Sequence, residues 1–384
     1  MLFTSKIGGC MLTVLTGRCG SGKTRRLLDL ATQRARAGGR VLLLLPEQNT
    51  YDGEVALMEA LGGSLFNCEA LGLDRLAKRG LESSGGSARL FLSAEGRRIV
   101  LRSIIEKHAD ELQLFRGISA RSGFTEKTGE LIDLFKNADI LPFDLKNAAK
   151  SLGGGLLSSK LGELSVLYSG LLDFMAGKYI DRADSLRLLC EKMDGAEYLR
   201  DLHVYFDSPH GFLYDQRTIA ILEGLVKNCA SVTMTLRLND QGDEDGGIFY
   251  FEHRVLSKLQ KIAQVERIHL KRGEKDATPA GLVAIERRLF KSGDEPEPDC
   301  TGVSVCAAAT PSEERRAVCE RAVDLLKNGA KPADIYIVTA TESDAAPLRA
   351  DMAMLGLPLF MDERRPLSHH PLVDNCGKAC PFCR

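Results

Sequence analysis

The sequence predicts an α/β fold: a parallel sheet built around a glycine-rich phosphate loop, a helical domain inserted into it, and the start of a second α/β domain. Three observations carry this. The short apolar run 12–16 leads into Gly17-Arg18-Cys19-Gly20-Ser21-Gly22-Lys23-Thr24, after which Leu27, Leu28, Leu30 and Ala31 give a helical pattern that Gly38-Gly39 ends. A second apolar run at 41–45 follows that one helix, the spacing of a βαβ unit. Beyond residue 300, runs of strand character again alternate with a helical pattern.

The loop fits G-x-x-x-x-G-K-[ST] without mismatch, in the strand-loop-helix setting that gives this pattern meaning. Gly17, Gly20 and Gly22 let backbone N–H groups converge on phosphates with no Cβ in the way. Arg18, Cys19 and Ser21 supply further backbone of the cradle, Lys23 a point charge for the β and γ oxygens, and the Thr24 hydroxyl a ligand for Mg²⁺. The expected cofactors are therefore ATP and Mg²⁺. A hydrolytic site of this type also ends a strand with an Asp that supports the metal, and the run 203–206 ends at Asp207. Asp207 has a second reading, as a turn residue before Pro209. Ser208-Pro209 follows it, so the Glu that would polarise an attacking water is missing and hydrolysis by this chain alone is expected to be slow or absent. Glu47, after the second strand, either approaches the nucleotide or belongs to a strand-exit turn.

With 384 residues the chain is long enough for two or three domains, and 44% hydrophobic with 27% charged residues is the composition of an ordinary globular protein. Fifty-one basic against 52 acidic residues leave nucleic-acid binding to local patches rather than to net charge. No apolar run approaches the roughly 20 residues that span a bilayer, and residues 1–10 lack a signal-peptide core, so a cytoplasmic protein with no membrane partner is expected. Its 11 cysteines are then expected to stay reduced. Residues 1–10 read as an extension before the first strand.

Between the runs at 41–45 and 203–206 the pattern is helical, with Leu161, Leu164, Tyr168, Leu171 and Met175 spaced by three and four residues. A fourth strand is expected at 232–236. The expected domains are 11–80 and 201–272 for the two segments of the nucleotide-binding domain, 81–200 for the helical insertion, 273–300 for a linker region with one short helix near 282–291, and 301–384 for an incomplete second domain. Gly-rich stretches at 81–88, 151–159 and 241–247 read as connections. In the last domain, strands are expected at 303–308, 335–339 and near 357–361, with Thr310-Pro311-Ser312-Glu313 capping the helix between the first two.

Several strings, taken in order, narrow the reading. They are Thr16 to Thr24 with Leu45-Pro46-Glu47-Gln48, Ser122-Gly123-Phe124 leading to Glu130-Leu131-Ile132-Asp133-Leu134-Phe135-Lys136, Tyr179-Ile180-Asp181-Arg182-Ala183-Asp184, Gly211-Phe212, Asp334-Ile335, Gly356-Leu357-Pro358-Leu359-Phe360-Met361-Asp362 and His370-Pro371-Leu372. In these the chain resembles the amino-terminal part of the B subunit of the bacterial AddAB/RexAB ATP-dependent helicase/deoxyribonuclease, a superfamily 1 helicase-like protein. The resemblance implies two RecA-like domains, ATP at the P-loop, DNA and an AddA-type helicase/nuclease subunit as partners in a heterodimer, and a role in double-strand break repair by homologous recombination. It also implies a nuclease domain with an iron–sulfur cluster in a carboxy-terminal region that this chain does not reach. The alternative is a free-standing P-loop NTPase or kinase, which has no need of a second helicase-like βαβ after residue 300.

DNA-contact candidates are Arg97, Arg98 and Arg102 on one helix, Arg315 and Arg316 on another, and Arg364-Arg365 in a loop; each cluster could equally be solvated or salt-bridged. His369-His370 and the thiols Cys376, Cys380 and Cys383 do not complete a zinc or iron–sulfur set, and the tail reads as a truncated or frame-shifted end.

Overall fold

The computed structural model describes residues 11–83, 89–207, 216–239, 247–272, 278–289 and 299–361. They form two compact units, Met1–Ala277 with Arg287–Asp294, and Thr278–Glu286 with Glu295–Arg384. The expectations for residues 1–10, Gly211-Phe212, Arg364-Arg365, His369-His370 and the cysteine tail lie outside the described residues, as do most of the acidic loop at 241–247 and much of the linker region.

In the first unit the chain runs β1 (Met11–Gly17), α1 (Lys23–Arg36), β2 (Arg40–Leu44), α2 (Thr50–Leu61), β3 (Cys68–Leu71) and α3 (Leu73–Ser83). There follow β4 (Leu90–Phe91), α4 (Ala94–Lys107), α5 (Ser122–Asn137), α6 (Pro142–Ser151), α7 (Leu156–Met175), β5 (Tyr179–Ile180) and α8 (Arg182–Lys192). The sheet resumes with β6 (Leu202–Phe206), α9 (Gln216–Asn228), β7 (Ser231–Arg237), α10 (Tyr250–Ile262) and β8 (Val265–His269). Six strands form one sheet in the order β3-β2-β6-β7-β1-β8, and every pairing in it is parallel.

Helices cover both faces, and the strands divide their residues between them with period two. Leu12, Val14, Leu42, Leu44, Val204 and Phe206 point to the side packed by α3, α8, α9 and α10. Leu15, Val41, Leu43 and Tyr205 point to the other, against α1 and α2. Each such leucine or valine contributes about 1.5–3 kcal/mol by leaving water, which is why apolar residues dominate the central strands. The strands expected at 12–16, 41–45, 203–206 and 232–236 are all present, within a residue or two, and the α/β parallel architecture is as expected.

Between β3 and β6 the chain builds a separate helical core, with Leu101, Ile104 and Ile105 of α4, Ile132 of α5, Leu145 of α6, and Leu167, Tyr168, Leu171 and Met175 of α7. This core is narrower than the stretch 81–200, because Leu186 and Leu189 of α8 pack into the sheet core instead. The glycine connection is placed as expected: Gly153, Gly154 and Gly155 join α6 to α7 at φ of 66°, 125° and 93°.

The second unit holds most of α11 (Ala280–Arg288), together with α12 (Pro311–Lys327) and α13 (Glu342–Met354). The cap of α12 forms as expected, Thr310 Oγ1 accepting from Glu313 N at 3.3 Å. The three expected strands do not. Residues 303–308, 335–339 and 357–361 have no ladder partner among the described residues. Parallel strands need both faces covered, and here one layer of two helices offers a single face. Ile337 and Leu357 pack on that layer, while Val305 and Val338 are each 93% exposed.

Candidate functional site

All six strands of the sheet point the same way, so the loops that follow them gather at one edge, where open α/β sheets hold ligands. The loop from Gly17 to Gly22 is at the exit of β1. Gly20 and Gly22 have φ of 75° and 79°, left-handed values that a Cβ disfavours, and Gly17 has φ of 154°. Arg18 and Ser21 are half-buried along the loop, and Cys19 is an exposed free thiol.

Lys23, the first residue of α1, is buried and its ammonium is at the centre of the loop. It donates to Gly17 O at 2.9 Å, Arg18 O at 2.6 Å and Ser21 Oγ at 3.3 Å. The first turn of α1 contains no acid, against the usual preference for negative charge at a helix N-terminus, and Lys23, Arg25 and Arg26 add cations to it. The N–H groups at this helix start, the helix dipole and these cations together favour an incoming anion. Thr24 is exposed beside them. The donor set fits a nucleoside triphosphate: backbone N–H groups and Lys23 would hold its phosphates and the Thr24 hydroxyl its Mg²⁺.

Asp207 follows β6, which is separated from β1 by β7 alone, roughly 10 Å across the sheet at the usual strand spacing. The residue is buried; its N–H donates to Leu44 O at 2.9 Å and Oδ1 accepts from Thr235 Oγ1 at 2.9 Å. The carboxylate is thus held at the loop edge by β7. Among the described residues no group of three or more His, Cys, Asp or Glu side chains converges. A P-loop Mg²⁺ would not need one, since the Thr24 hydroxyl and the Asp207 carboxylate would hold it together with the phosphates. Glu47 is committed elsewhere: Oε1 accepts from Asp74 N at 3.0 Å at the start of α3, the strand-exit role rather than the nucleotide one.

Sequence reasoning missed β8 and what it brings to the loop. Arg267 Nε donates to Thr16 Oγ1 at 3.2 Å, His269 Nδ1 is 3.1 Å from the same hydroxyl, and Arg272 Nη2 donates to Cys19 O at 2.9 Å. Arg18 Nε donates to Asn239 Oδ1 at 2.6 Å, and its guanidinium lies 5.7 Å from the centre of the Phe249 ring. The DNA-contact candidates fare differently. Arg97 pairs with Asp133, Arg102 with Glu106 at 2.7 Å, Arg315 with Asp351 at 2.8 Å and Arg316 with Glu320 at 2.8 Å. These four are salt-bridged; Arg98 stays exposed.

The parallel sheet, with helices on both faces and this loop at the exit of β1, is the architecture of P-loop nucleotide-binding domains. The family described as ADDB, N-terminal, matches residues 14–285, and the chain belongs to that family. It is similar to the B subunit of the ATP-dependent helicase/deoxyribonuclease of Heliobacterium modesticaldum, 31% identical over 392 residues, covering 94% of this chain and 32% of that protein. The corresponding protein of Pelotomaculum thermopropionicum is 32% identical over 383 residues and that of Geobacillus kaustophilus 30% over 387, each covering 94% of this chain and 33% of the relative. The chain therefore spans about a third of the length of these curated relatives.

Proposed function

We propose that this chain is the ATP-binding, helicase-like amino-terminal part of an AddB-type subunit, working with an AddA-type subunit on DNA during recombinational repair of double-strand breaks in the cytoplasm. The observation that carries the reading is the loop itself, a glycine cradle at a parallel-sheet edge with a buried lysine ammonium at its centre. Family membership supports the rest, as does the absence among the described helices of one long and apolar enough to cross a membrane. In this reading the N–H groups from Gly17 to Thr24 bind the phosphates, Lys23 exchanges its carbonyl partners for phosphate oxygens, and Thr24 with Asp207 supports Mg²⁺. The metal, once bound, neutralises charge on the β and γ oxygens. Buried Thr235 keeps Asp207 pointed to the sheet edge.

Calorimetric titration with ATP and Mg²⁺ tests this. Lys23→Ala is expected to weaken binding by about 1.5–3 kcal/mol, roughly 10- to 150-fold, the worth of a charge-assisted contact. Equal affinity in wild type and variant would sink the assignment.

A further inference from the structure

The helical core between β3 and β6 leaves a groove of about 760 Å³ on its surface, bounded by α4, α6 and α7. Its floor is α7, where Ser165, Val166, Ser169 and Gly170 keep the side chains short. Gly170 permits the close approach of α4, since a Cβ there would stand 2.8 Å from Ile104 Cγ2. Phe143 of α6 and Phe174 of α7 stand at the rim, 68% and 43% exposed. Phe174 is held by Tyr179, whose ring stacks on it with centroids 5.3 Å apart. Two large exposed rings on one groove mark an interaction site rather than the singly scattered apolar residues of an ordinary surface.

The groove has a polarity. α4 and α7 run antiparallel, because β4, just before α4, pairs with β5, just after α7. The chain beyond α4 accordingly reaches the earlier part of α7, where the Glu163 carboxylate accepts from Leu114 N at 2.6 Å and Phe115 N at 3.0 Å. α6 and α7 are antiparallel as well: Ser158 Oγ, near the start of α7, donates to Ala149 O, near the end of α6, at 2.7 Å. Lys107, at the end of α4, and Lys146, one turn into α6, therefore lie towards Val166, and Asp173 beside Phe174 lies at the opposite end. Lys107, Lys146 and Asp173 form no ion pair among the described residues.

An extended polyanion laid in the groove would meet two cations on opposite walls and then a carboxylate. An α-helix is complementary along its whole length, because its dipole sets the positive end beside Asp173 and the negative end between the lysines. From Val166 to Asp173 the floor runs about 10 Å at 1.5 Å per residue, enough to seat about two turns. We propose that this groove docks an amphipathic helical segment of a partner protein. The segment is apolar on the face that meets Phe143 and Phe174, carries carboxylates that reach Lys107 and Lys146 in its second half, and points its amino-terminal end towards Asp173. Short side chains on the floor admit its ridge, and the rings take its apolar anchors. The site is on the helical core and does not depend on the nucleotide reading of the P-loop.

The test is fluorescence anisotropy of a labelled synthetic peptide titrated with the whole chain. The probe has about three helical turns, with leucines on one face and glutamates flanking them in its second half. A second peptide has lysine at each glutamate, and a third carries the glutamates in its first turn. Wild type is expected to prefer the first peptide to both others. Lys107→Glu with Lys146→Glu is expected to lower its affinity by about 2- to 30-fold, the worth of two exposed ion pairs, and to turn the preference towards the lysine peptide. Phe143→Ala is expected to weaken the acidic and lysine peptides alike by at least about 5-fold, the loss of an apolar anchor. These variants change exposed side chains, so melting temperature and ATP affinity are expected to match wild type. Failure of wild type to bind the first peptide would overturn the proposal, as would equal affinity for all three, or wild-type affinity in both variants. Displacement of the peptide by an oligothymidylate would overturn it too, in favour of a nucleic-acid groove. Loss of ATP binding with peptide binding intact would count against the P-loop reading alone.

Discussion

Lys136→Met is expected to cost about 3–5 kcal/mol of stability, the penalty for leaving a buried charge cluster without a partner. Lys136, on α5, is buried, and its ammonium donates to Asp181 Oδ2 at 2.6 Å and Asp184 Oδ2 at 2.9 Å. Asp181 is buried as well, and Arg97, which bridges to Asp133, comes within 3.7 Å of it. Arg217 of α9 completes the cluster, donating to Ala183 O at 2.6 Å and Lys136 O at 2.7 Å and pairing with Asp139. The methionine keeps the volume and the apolar stem, so the loss reports charge rather than a cavity. Solvated pairs such as Arg316–Glu320 contribute little through water and serve as the control. Urea unfolding of wild type and variant measures the difference, and a loss below about 1 kcal/mol would show that the cluster is not what ties these helices together.

The same cluster fixes a pH dependence. Burial by itself would push the Asp181 carboxyl up, but the Lys136 ammonium and its hydrogen bond, the Asp184 N–H and Arg97 outweigh burial and hold it below the ordinary carboxylate range. A depressed carboxylate contributes stability that is present above its unfolded value, about 4, and is lost as pH falls through the folded value. Wild type is therefore expected to lose stability on acidification below about pH 4, and Lys136→Met to lose less over the same interval.

Gly17→Ala is expected to abolish ATP binding and to destabilise the chain by about 1–3 kcal/mol, the strain of a disfavoured backbone conformation. A Cβ on Gly17 would stand 2.5 Å from Leu270 O and 2.4 Å from Ser21 Oγ. The serine can rotate, but the carbonyl is backbone anchored beside β1, where Leu270 N donates to Thr16 O at 2.7 Å. Either β8 is displaced or the loop is, and Gly17 O is also an acceptor for Lys23. Calorimetry and thermal melting together check this; retained ATP affinity would show that the loop tolerates a shift its packing against β8 does not suggest.

The central strands were legible because they are buried on both faces, which leaves mainly apolar and β-branched residues in β1, β2, β6 and β7. The two edge strands were not. β3 reads Cys-Glu-Ala-Leu and β8 reads Val-Glu-Arg-Ile-His, and charge at an edge both discourages stray pairing and hides the strand from an apolar pattern. With β8 went the residues it places by the loop, Arg267, His269 and Arg272, which no local motif connects to Gly17. Asp207 was legible from the end of a strand, and its position two strands from β1 is what the sheet order adds. The extended runs after residue 300 show the opposite error: their alternation is that of a strand, but alternation does not say whether a neighbour exists.

The strand made first is finished last. β1 begins at Met11, but its two ladder partners start at Ser231 and Val265, so a nascent chain exposes the P-loop strand unpaired while the long stretch up to those partners is still being synthesised. At about 5–20 residues per second the wait is on the order of ten seconds to a minute, far longer than helices need to form. During that interval an apolar strand has two open edges and the loop has no wall on the β8 side. Nucleotide therefore cannot assist the folding of this loop until β8 has left the ribosome.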